Sequence, residues 1–138
     1  MPRDQDCFKT YLEVPQQKLD RGDRIVLPLG QHLFIVQPAK TRQWLIKCDC
    51  GHEFCDYREN WKLEALINVR ETVEELREIY PDKMHGDPRW NVLREYFCPG
   101  CKTLLEVEAV PPGYPPVHDF VPDLEGFYND WLGRPLPA

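Results

Sequence analysis

Long apolar runs are missing from this chain of 138 residues. The longest unbroken one is four residues, Leu33 to Val36, against the roughly 20 that a membrane-spanning helix needs. Residues 1–24 are polar and hold no apolar stretch of the kind a secretory leader carries. A soluble, cytoplasmic protein is therefore expected. Basic blocks are missing too: 17 Lys and Arg stand against 23 Asp and Glu, a net charge of −6 with His neutral. Nucleic-acid binding rests on clustered cations that neutralise phosphate, so that function class is disfavoured. The familiar catalytic signatures are absent as well. There is no Gly-x-x-x-x-Gly-Lys phosphate loop, no Gly-x-Gly-x-x-Gly and no His-Glu-x-x-His. His118-Asp119 is the nearest thing to an acid–base pair. Neighbours on an extended segment point to opposite sides, which argues against mutual orientation.

Proline is plentiful, with 14 residues, about twice average usage. That points to a loop-rich chain in need of a staple or a partner. Residues 1–23 read as an arm of mixed charge and little periodicity. Apolar runs at 24–29, 32–37 and 42–47, separated by Pro- and Gly-containing breaks, read as strands. Over 61–70, Trp61, Leu63, Ala65, Ile67 and Val69 alternate with polar residues including Lys62, the pattern of a half-buried strand. Thr72 with Glu75 forms a capping-box pattern for a helix over 72–80. Residues 92–97 and 103–110 read as two more strands. The segment 111–116, Pro-Pro-Gly-Tyr-Pro-Pro, is an extended connector. Leu124, Phe127, Tyr128, Trp131 and Leu132 then follow the spacing of an amphipathic helix over 123–132. The fold class expected is β-rich α+β: a core of short antiparallel strands over 24–110, one inserted helix, and a docking helix on a proline-rich connector over 111–138.

Six cysteines are present. Disulfides would need an oxidising compartment, which nothing here indicates. Cys48 and Cys50 are one residue apart, and Cys98 and Cys101 two, which is chelate spacing. Each pair sits at a strand end beside a glycine, Gly51 or Gly100, that lets the backbone curl and aim amides at sulfur. Together they make the two halves of a zinc ribbon, separated by an insertion of 47 residues between Cys50 and Cys98. Four thiolates suit tetrahedral Zn²⁺. Cys55 and His52 lie close enough in sequence to compete for the fourth position. A four-thiolate site leaves no place for water, so the metal would be structural. The aromatic tail reads as a contact surface for another chain, with Tyr114, His118, Phe120, Phe127, Tyr128 and Trp131 as its residues.

Four stretches carry a family resemblance. They are Ile25–Gly30 with Leu33–Val36, Cys48–Asp56 with Glu59–Lys62, Arg94–Cys101, and the tail from His118 through Gly126-Phe127-Tyr128 to Gly133. From about residue 24 to the end, the chain resembles the small (gamma) subunit of the acetone and acetophenone carboxylase family. A short N-terminal arm inclines the resemblance toward the acetophenone type, and Lys102 stands where a glycine is common. The resemblance implies a zinc-bearing accessory chain in a hetero-oligomer. Large subunits similar to hydantoinases and oxoprolinases would bind ATP, a divalent metal and the ketone, and join it to activated carbonate without biotin. No catalytic residue is then expected on this chain. The other reading of the residues is a stand-alone ribbon module that binds an acyl group or small ligand.

Overall fold

Seven strands form two antiparallel sheets in the computed structural model, which describes residues 5–19 and 22–137. The first sheet is a meander of β1 (Asp23–Pro28), β2 (Leu33–Pro38), β3 (Leu45–Cys48) and β4 (Glu53–Asp56), in that order. The second contains β5 (Leu66–Arg70), β6 (Val92–Phe97) and β7 (Leu104–Val110), again in chain order. Short helices complete the fold: α1 (Gln5–Lys18), α2 (Val73–Arg77) and α3 (Leu124–Gly126). The last of these runs on as a π-helical turn over Phe127–Trp131. The β-rich α+β class is thus the observed one, with a ribbon-like cysteine cluster joining the sheets.

The region read as an irregular arm is instead largely α1, a helix that accommodates Pro15. Its periodicity is muted in the sequence because only a narrow stripe is buried. Leu12 packs on a cluster of Leu19, Ile25, Phe34 and Val36. Gln16 fastens the helix to the sheet: its Nε2 donates to the Asp23 carbonyl at 2.7 Å, and its Oε1 accepts from the Ile25 amide at 2.8 Å. On the opposite face of the same sheet, Val26, Ile35 and Ile46 enter the main core with Trp61, Tyr96, Leu124, Tyr128 and Leu132. Covered from both sides, β2 is buried from Leu33 through Gln37, which explains its unbroken apolar run.

The strand expected over 61–70 starts only at Leu66. Trp61–Glu64 is a 3₁₀ turn whose cap, Asn60, accepts from the Lys62 amide at 3.2 Å. With three residues per turn, the two-residue alternation no longer sorts inside from outside. Lys62 is fully buried while Leu63 is 65% exposed, the reverse of the alternation. The capping box of α2 is present in full, from Thr72 to Glu75 and back, though the helix is only five residues long.

Lys62 is the centre of a polar knot under the tail. Its ammonium meets Asp119 at 2.8 Å, Glu106 at 2.9 Å and Glu108, and lies 5.3 Å from the centre of the Tyr96 ring. Burial alone would push this lysine down, yet the three carboxylates hold it above the ordinary lysine range. Arg94 pairs with Glu108 at 2.6 Å and donates to the carbonyls of Tyr114 (2.5 Å) and Pro115 (3.3 Å). Asn60 donates to the Pro116 carbonyl at 3.1 Å. The proline-rich connector has few donors of its own, and these side chains lay it against the second sheet.

Removing one partner of a buried ion pair leaves the others uncompensated, at a cost of about 3–5 kcal/mol. Lys62→Met should lower stability by about that amount in chemical denaturation and expose residues 111–138 to proteolysis. An unchanged midpoint with a protected tail would contradict the knot. The sign with pH follows from the shifts. Glu108 is held below its ordinary 4.5, so its contribution is present above that value and is lost as pH falls further. Lys62 is raised, so its contribution is present below 10.5 and is lost only in stronger alkali. Acid unfolding monitored by near-ultraviolet circular dichroism should therefore lose this increment below about pH 4.5 in the native chain and not in Lys62→Met.

Candidate metal centre

The β3–β4 turn and the β6–β7 turn present their cysteines to each other. The sulfurs of Cys48, Cys50, Cys98 and Cys101 lie within 4.8 Å of one another. Two cross-hairpin pairs, Cys48 with Cys101 and Cys50 with Cys98, stand at 3.7 Å. Four sulfurs at about 2.3 Å from a tetrahedral ion are spaced by about 3.8 Å, so the four thiols could hold a metal such as zinc with little adjustment. Cys48 and Cys98 are fully buried and Cys101 is on the surface.

Local backbone explains the curl. Amides of Cys50, His52 and Thr103 bond to the sulfurs of Cys48, Cys50 and Cys101 respectively. Gly51 has φ +92°, as its place in the first turn requires. Gly100 is needed for a different reason than expected. Its φ is not positive; instead, a Cβ there would sit 3.1 Å from His52 Cβ and 3.4 Å from Cys50 Sγ. The left-handed position of the second turn falls on Lys102, φ +64°. Its ammonium donates to the Pro99 carbonyl at 2.7 Å and closes the turn.

Burial pushes the Cys48 and Cys50 thiols up. Cys101 goes the other way, drawn down to about 6 by the Thr103 hydroxyl, 3.2 Å from its sulfur, and by the Thr103 amide. Cys101 is thus drawn toward its thiolate form, while burial opposes that form at Cys48 and Cys50. Crowded thiolates repel, and a divalent cation at their centre removes that repulsion.

The alternatives for the fourth ligand are placed elsewhere. The His52 ring stacks edge-on to Phe54 with centroids 4.9 Å apart, and Cys55 packs beside the main core with its sulfur 3.7 Å from the Glu59 carbonyl. Burial raises the Cys55 thiol to about 11. Sequence reasoning missed the brace behind the first turn. Asp49 Oδ2 lies 2.6 Å from His32 Nδ1, and the Asp49 amide donates to the His32 carbonyl at 3.0 Å. The only signal was an acid lodged between two ligands, facing a histidine at a strand start.

The tail residues separate into two groups. Tyr128 is buried in this chain's own core, where its hydroxyl donates to the Val26 carbonyl at 2.7 Å. Phe127 is half-buried and meets Phe8 edge-on, with centroids 5.1 Å apart. Tyr114, Phe120 and Trp131 remain exposed, at 48%, 57% and 63%. His118 is half-buried against a cavity of about 50 Å³, and Asp119 turns to Lys62. No hydrogen bond joins His118 to Asp119 among the described residues.

A family model described as "Acetone carboxylase gamma subunit" matches residues 19–132, most of the chain. The chain belongs to that family. It is 52% identical over 136 residues to the acetone carboxylase gamma subunit of Xanthobacter autotrophicus, covering 99% of this chain and 81% of that one. Identity to the acetophenone carboxylase beta subunit of Aromatoleum aromaticum is 31% over 83 residues, 56% of this chain and 61% of the other. The acetophenone type suggested by the short N-terminal region is therefore the more distant of the two. No helix among the described residues is long and apolar enough to cross a membrane.

A left-handed conformation costs a non-glycine residue about 1–2 kcal/mol, part of which glycine returns through its freer unfolded chain. Lys102→Gly should therefore raise stability by about 0.5–1 kcal/mol at full metal content, read from thermal melts with elemental analysis. A lower melting point at equal metal content would contradict this reading of the second turn.

Proposed function

We propose that this chain is the structural, zinc-binding gamma subunit of a biotin-independent, ATP-dependent ketone carboxylase, with acetone, converted to acetoacetate, as the ketone. The closed cluster of four cysteines carries the reading. With every position of a tetrahedral ion taken by protein sulfur, the metal has no site for substrate or water, and its work is to hold the two hairpins together. ATP, a divalent metal and the ketone belong on large hydantoinase-like subunits, which form the new carbon–carbon bond as a ligase in the cytoplasm. The acetone preference follows the higher identity to the acetone carboxylase subunit.

Contact with those subunits falls to aromatic side chains that this chain's own core does not absorb. Trp131, 63% exposed beside the buried Leu132, is the strongest of the tail residues, with Tyr114 and Phe120 along the connector. Trp90 (78%) and Met84 (71%), in the loop after α2, are exposed as well. Phe127 and Tyr128 act by fixing the helix that presents Trp131, and His118 by seating the connector.

Gentle purification of the tagged chain from its source should bring large carboxylase subunits in fixed ratio, identified by mass spectrometry, and the complex should consume ATP with acetone and bicarbonate. A chain that emerges alone and zinc-loaded would overturn the subunit reading. Within the complex, Trp131→Ala should weaken assembly by about 2 kcal/mol or more, roughly thirtyfold in dissociation constant, with zinc content unchanged. Undiminished assembly would remove Trp131 from the interface.

A further inference from the structure

The sequence contains no basic run, yet folding assembles a basic patch from three separate segments. Lys9 on α1, Arg24 on β1 and Arg134 after the tail helix line one cavity of about 230 Å³. Arg24 also lines a neighbouring open groove with Lys40 and Arg42. Glu13 is the one carboxylate lining either space. Among the described residues, none of the five cations forms an ion pair within 4.0 Å. In a chain of net charge −6, five cations around two adjoining spaces with one lining carboxylate make a local positive potential that attracts anions.

Arg134 shows that the patch is built and not merely a set of mobile surface side chains. Its guanidinium lies 5.5 Å from the Tyr128 ring centre and 6.0 Å from that of Phe8, so two aromatic rings fix its position. Its Nε is buried without an acceptor. The positive fields of Arg134 and Arg24 both reach the Tyr128 hydroxyl, where they oppose the rise that burial imposes on it. Leu12, Ile25 and the Tyr128 ring supply an apolar wall. A planar, pre-oriented guanidinium with two further cations beside a half-apolar cavity is the chemistry that recognises a phosphate or carboxylate group.

We propose that Lys9, Arg24 and Arg134 form a binding site for a small oxyanion, a phosphate or carboxylate group on a compact ligand. The site lies at the β1 edge of the first sheet, between α1 and the tail, and makes no use of the cysteine cluster. Anion binding there joins α1, β1 and the tail, adding to the Gln16 hydrogen bonds, the Phe8–Phe127 contact and the Tyr128–Val26 hydrogen bond that already link them.

The test is a titration of the full, metal-loaded chain with inorganic phosphate at constant ionic strength, followed by amide resonances in two-dimensional nuclear magnetic resonance. Saturable shifts centred on residues 9, 24 and 134 are expected, with chloride at matched ionic strength producing none. Arg24→Gln, at an exposed position, should fold normally and weaken phosphate binding about tenfold. Sodium acetate as a second titrant shows whether carboxylates are accepted alongside phosphates. A linear response to both anions, or saturation undiminished in Arg24→Gln, would overturn the site.

Discussion

Four sulfur atoms, contributed by hairpins 50 residues apart in sequence, gather within 4.8 Å of one another. The first sheet ends at β4 and the second begins at β5, and no strand of one pairs with a strand of the other. The cysteine cluster brings together a turn from each sheet, and Trp61 and Tyr96 pack edge to face at 5.9 Å in the shared core. A chain rich in proline and poor in long elements gains little from local structure, so a tie across the two sheets contributes directly to folding. The ribbon turns, the amide-to-sulfur bonds and the glycine at position 100 all serve that tie.

A second closure is made of charge. Lys62 precedes β5, while Glu106 and Glu108 stand on β7 and Asp119 comes from the connector. Their convergence needs the second sheet correctly placed against the core. Once formed, the knot holds the connector in place, and the connector delivers Leu124, Tyr128 and Leu132 to the main core. The tail is therefore both part of the fold and the bearer of three exposed aromatic positions, Tyr114, Phe120 and Trp131. That double role suits an accessory subunit, whose surface has to be rigid before it meets a partner.

The sequence made the second sheet's β6 and the cysteine turns legible because their signals are local: an apolar run ended by a chelating pair and a glycine. The capping box at Thr72 was legible for the same reason. Less was readable where two layers compete for one segment. Residues 61–64 alternate like a strand, but the 3₁₀ turn sends Lys62 inward to meet carboxylates 44 to 57 positions away. No local pattern encodes a partner at that separation. The helix over Gln5–Lys18 was hidden by Pro15 and by a thin apolar stripe. The spacing of the tail was right for a helix, but spacing cannot tell whether an apolar face meets its own core or another chain. Here Tyr128 does the former and Trp131 remains at the surface.

If one metal ion, held by all four cysteines, ties the two sheets together, metal content and stability fall together when a single ligand is lost. The most direct measurement compares the native chain with Cys98→Ser by elemental analysis and thermal melting on the same samples. One zinc per native chain, with zinc lost and the melting point lowered together in the variant, is the result this account predicts. Full zinc content and an unchanged melting point in Cys98→Ser would contradict it.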